Sequence, residues 1–124
     1  MRLVMLCLLV TITAPAWADW EKIYESAELT YFVDPDTVRK MGDLRLASSM
    51  RDLKAPTPTG EISRRAIVEY DCKADLQNLL SVSVHSGTGA TGSTLFRENY
   101  PKKDWQFISP GTIAQLILKY VCAQ

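Results

Sequence analysis

Between Leu44 and Leu53 the side chains alternate in character: Leu44, Leu46, Ser48 and Met50 fall on one face, Arg45, Ala47, Ser49 and Arg51 on the other. A period of two residues predicts a β-strand. The same alternation runs from Arg65 to Cys72, with Ala66, Val68, Tyr70 and Cys72 on one face and Arg65, Ile67, Glu69 and Asp71 on the other. Leu76 to His85 predicts a further strand, with Leu80, Val82 and Val84 set against Ser81, Ser83 and His85. Aromatic and β-branched residues predict strands over Trp20 to Ser26 and Leu29 to Val33, and a sixth strand is expected over Ser93 to Tyr100. Asp34-Pro35-Asp36-Thr37 has the chemistry of a helix start: a side-chain cap, proline at the first position and acids in the first turn. A helix of about two turns, ended by Gly42, is therefore expected there.

Near the end of the chain the period changes. Ile113, Leu116, Ile117 and Tyr120 recur at i, i+3, i+4 and i+7, after a Ser109-Pro110 start signal. One amphipathic helix of about three turns is expected, with Cys122 at its end. Cys72 shares a strand face with Ala66, Val68 and Tyr70, so a Cys72–Cys122 bridge would pin the helix to that face. The fold expected is α+β and mostly β: a mostly antiparallel sheet, with one C-terminal helix packed on one face and tied by the disulfide.

The first residues are of another kind. Met1-Arg2 precedes an apolar run from Leu3 to Ile12, then Pro15 and Ala16-Trp17-Ala18. One charge, a short apolar stretch and small residues before a cleavage point are the features of a secretory signal, with cleavage expected between Ala18 and Asp19. The run is about half the roughly 20 residues a spanning helix needs, so no integral membrane segment is expected in the mature chain. Cys7 lies in the middle of the run after Leu6, where no lipid-acceptor motif is formed. The mature chain would be residues 19–124, one domain, exported to the periplasm or the cell surface. Cys72 and Cys122 are then its only cysteines, and an oxidising compartment favours a single bridge.

Arg2 would leave with the signal, and 14 acidic side chains would then face 13 basic ones, one fewer than the whole chain's 14. That balance excludes the strong basic excess of a nucleic-acid partner. Gly87-Thr88-Gly89-Ala90-Thr91-Gly92 has the glycine spacing of a dinucleotide loop. A strand follows it instead of a helix, so a hairpin turn is expected and no cofactor. His85, the single histidine, is expected at the surface, without the companions of a metal site or a catalytic triad. Trp105 and Phe107 are expected to fill a core edge. Arg45, Arg51, Arg65 and Arg97 are the candidate binding residues, expected together on the sheet face opposite the helix, where an anionic polymer or an acidic partner surface would meet them.

Several of these segments resemble one family, the surface-adhesin E (protein E-like) domain of proteobacterial exported proteins. The resemblance rests on Trp20, on Tyr31-Phe32-Val33-Asp34-Pro35-Asp36-Thr37-Val38-Arg39, and on Gly42. It continues through Glu69-Tyr70-Asp71-Cys72, Trp105, and Ser109-Pro110-Gly111-Thr112 before a helix that ends at Cys122. The resemblance implies a six-stranded antiparallel sheet with a disulfide-tied C-terminal helix, and attachment to host matrix proteins by analogy of fold. The chain is therefore expected to be a non-enzymatic binding module for a protein or other polymer, working through its open sheet face or a sheet edge. A structural or assembly component of the bacterial envelope is the alternative.

Overall fold

The computed structural model describes Val10 and residues 19–124. Apart from Val10, the expected signal segment lies outside the described residues, as does its cleavage point after Ala18.

The strands are β1 (Glu21–Glu25), β2 (Leu29–Met41), β3 (Leu44–Leu53), β4 (Ser63–Asp71), β5 (Leu76–His85) and β6 (Thr94–Asn99). They form one antiparallel meander in sequence order. A two-residue β7 (Gln106–Phe107) pairs with the free end of β5, at Leu76 and Gln77. The helix α1 (Ile113–Cys122) follows. Each connection is short and each strand pairs with its neighbour in sequence, as expected for an antiparallel sheet.

The helix expected after Asp34 does not form. Those residues lie within β2, where the pairing jumps from Asp34↔Ser48 to Arg39↔Leu46. The capping chemistry is used to close a bulge instead. Asp34 Oδ1 accepts the Asp36 amide at 3.0 Å, and the Thr37 hydroxyl donates to the Asp34 carbonyl at 2.7 Å. Pro35 has no amide to give to a ladder, so a bulge is where a long strand can tolerate it. Local side-chain acceptors serve turns as readily as helix starts, and here the β3 neighbour decided between them.

α1 starts later than the Ser109-Pro110 signal suggests. Thr112 is its cap, accepting from the Gln115 amide, while Gln115 Oε1 accepts from the Gly111 amide at 2.9 Å. Its buried side chains are Ile117, Leu118 and Val121. They pack on Val33, Ala47, Val68 and Tyr70, with Ile108 from the preceding segment. Leu116, expected in that stripe, is 44% exposed. The stripe is rotated towards Leu118 and Val121, the side from which Cys122 bridges to Cys72 at the end of β4.

Candidate functional site

A ten-residue helix is about 15 Å long, whereas six strands are about 24 Å across. α1 lies over β1, β2 and β3, and its side chains reach Val68 and Tyr70 on β4. The rest of that sheet face is left without a helix, and a cleft of about 1170 Å³ lies along it. Its floor includes Tyr31, Ala66, Leu79 and Val82, and residues 99–104 form its far wall. Leu79 reaches this floor because β5 carries an extra residue: Ser81 pairs with Ile67 and Leu79 with Val68, which leaves Leu80 between them. Arg51 and Arg64 stand at the cleft and share Glu61, at 2.8 and 3.3 Å. Arg51 Nε is buried with no hydrogen-bond partner.

β6 borders this cleft and is the last strand of the sheet. All six of its residues are exposed, Leu95 and Phe96 at 45% and 49%. Soluble proteins usually guard such an edge with charge, proline or a covering loop. The Tyr100 amide donates to the Leu80 carbonyl at 2.8 Å, holding the chain to β5 where β6 ends. Sequence reasoning found the strand and missed its exposure. The available signal was its place as the last long strand before a loop, with two adjacent apolar residues.

The four candidate arginines do not form one patch. Arg45 pairs across β3–β4 with Tyr70, and Arg51 with Arg64, which puts both on the face that carries α1. Alternation gave the two faces of β3 correctly but not which one meets the helix. The register decided that by setting Ala47 beside Val68 and Ser49 beside Ala66. Arg45 is also tied to the β2–β3 turn, donating to the Gly42 and Leu44 carbonyls at 2.7 and 2.9 Å.

Arg65 and Arg97 are on the opposite face, each paired across the sheet with Ser83. His85, expected at the surface, is 6% exposed there, with Nε2 at 2.8 Å from Ser83 Oγ. Burial holds its pKa below the usual imidazole range, and Arg97 and then Arg65 add to the effect.

Gly87–Gly92 is a turn around a short 3₁₀ segment, Thr88–Ala90, with Gly89 and Gly92 at φ 63° and 74°. It is anchored to the sheet by Ser63, which donates to the Gly87 carbonyl at 2.6 Å, and by Asp52, which accepts from the Gly89 amide at 2.9 Å. Trp105 and Phe107 do not fill a core edge together. Phe107 is 64% exposed, and half-buried Trp105 lies under the Lys103 ammonium at 5.4 Å. Lys103 also pairs with the buried Glu69 at 3.3 Å, an ion pair the sequence did not reveal. Among the described residues no three or more His, Cys, Asp or Glu side chains converge as a metal site would require. No helix among them is long and apolar enough to cross a membrane.

Comparison with solved structures finds the same architecture. A crystal-form II structure of Haemophilus influenzae protein E superposes with a TM-score of 0.64 at 13% identity, covering 88% of this chain and 91% of that one. Protein E from non-typeable Haemophilus influenzae superposes with a TM-score of 0.58 at 13% identity, covering 90% and 80%. At such identity the likeness is one of fold. No curated protein sequence matches the chain. The sequence profile of surface-adhesin protein E, however, matches residues 20–123, from the tryptophan before β1 to the residue after the bridged Cys122, and the chain therefore belongs to the surface-adhesin protein E family.

Proposed function

We propose that this protein is an exported, non-enzymatic adhesin-like module that captures a protein ligand at the edge of its sheet. The observation that carries the reading is β6, an edge strand exposed along its whole length, which presents Leu95 and Phe96 and lines a cleft with Glu98 and Asn99. An extended peptide segment of the ligand adds to β6 through backbone hydrogen bonds, and its side chains enter the cleft beside Leu79 and Val82. Family membership supports a surface role, and residues 1–18, with the features of a secretory signal, supply the route to it.

The test is retention of the mature chain, residues 19–124, on immobilised host extracellular-matrix proteins, beside a Phe96→Lys variant of unchanged melting temperature. Retention of the parent and its loss in the variant is the expected result. Equal retention of both moves the site off the β6 edge. No retention of the parent, together with capture of a bacterial envelope protein, makes the chain an assembly component instead.

A further inference from the structure

The sheet face opposite the helix carries a second, chemically different surface. Arg65 on β4 and Arg97 on β6 flank Ser83 on β5, two strand spacings apart, or about 10 Å. The shallow depression between them is lined by Ser81, Ser83, Asn99 and Ile67. Arg51 and Arg64 share Glu61, whereas neither Arg65 nor Arg97 forms an ion pair among the described residues. Arg65 instead reaches the Trp20 ring, its guanidinium carbon 5.9 Å from the centroid. Two unpaired guanidinium groups over one serine, beside a buried imidazole, repel one another. That cost is offset when an anion lies between them.

We propose that Arg65, Arg97, Ser81, Ser83 and Asn99 form a binding site for an acidic saccharide, whose carboxylate or sulfate groups the two arginines hold. The lining favours a sugar over an acidic peptide. Hydroxyl and amide groups lie between the two charges, suited to ring hydroxyls, and Trp20 offers an aromatic surface beside Arg65. The planar fork of arginine suits both oxyanions. This site opens on the opposite face of the sheet from the cleft, shares only Asn99 of its five residues with the cleft wall, and does not depend on the edge-strand reading.

His85 makes the site observable, because it is the only imidazole in the chain and touches Ser83. The charged groups facing it are Arg65, Arg97 and, across Ser63, Asp52 on β3. An anion held between the arginines counters their positive charge and raises the His85 pKa.

The experiment titrates the mature chain with heparin hexasaccharide, with oligogalacturonate and with polyglutamate. It follows affinity by calorimetry and the His85 ring by NMR. Saturable binding of one or both saccharides is expected, with an upward shift of the His85 pKa. Arg65→Gln and Arg97→Gln should each weaken binding about tenfold, and Arg39→Gln, the same charge change at an exposed position of β2, should not. Binding of heparin without oligogalacturonate assigns the site to sulfate, whereas binding of oligogalacturonate shows that carboxylate suffices. Binding of polyglutamate as tight as that of the sugars overturns the saccharide assignment. Binding of neither saccharide, or equal loss in all three variants, overturns the site.

Discussion

The side chain of Thr37 accepts the backbone amide of Ser48 at 3.0 Å, replacing the ladder partner that the bulge in β2 removes. Ser48 is buried, so its amide has no water to turn to. Thr37→Val should therefore cost about 1–3 kcal/mol, the range for an unsatisfied buried donor, while Thr37→Ser should retain most of the stability. Urea midpoints of the two variants decide this. Equal losses would mean that the threonine methyl, not the hydroxyl, supports the bulge.

The disulfide joins residues 50 positions apart, from the end of β4 to the last turn of α1. Replacing both cysteines by serine should lower stability by about 2–5 kcal/mol. Chemical denaturation of the double variant measures the loss. A change below about 1 kcal/mol would show that packing alone holds the helix.

Leu118 is 4% exposed and Leu116, two residues earlier, is 44% exposed. Leu118→Ala should cost about 2–5 kcal/mol, as truncations in a packed core do. Leu116→Ala should cost about 0.5 kcal/mol or less. Thermal or denaturant melts compare the two, and the reverse order would contradict the observed rotation of the helix.

Burial, with Arg97 and then Arg65, holds the His85 pKa in the folded protein below its unfolded value of about 6.5. As pH falls below that value the unfolded chain takes up the proton more readily than the folded chain. The stability His85 contributes is thus present above about pH 6.5 and lost as pH falls from there towards the folded-state pKa. Urea midpoints at pH 7.5 and 5.5 should fall further for the parent than for His85→Gln. Parallel falls would place the acid sensitivity elsewhere.

Much of this molecule is determined by its sequence alone. Period-two alternation marks the strands and the i, i+3, i+4 recurrence marks α1, because each of these signals acts over a few residues. The tertiary structure decided the rest. Asp34-Pro35-Asp36-Thr37 carries acceptors that suit a helix start or a bulge equally, and only the amide of Ser48 on β3 selects the bulge. Alternation divides Arg45 and Arg51 from Leu44 and Met50 without saying which set meets the helix, and the pairing of Ala47 with Val68 selects it. That selection also breaks the expected arginine patch, leaving Arg65 and Arg97 together over Ser83. The exposure of β6 depends on the absence, among the described residues, of a strand beyond it, a fact about neighbours that no local pattern carries. Local propensity is a property of one segment, whereas register, helix rotation and an open edge belong to pairs of segments distant in the chain, and these relationships position both proposed surfaces.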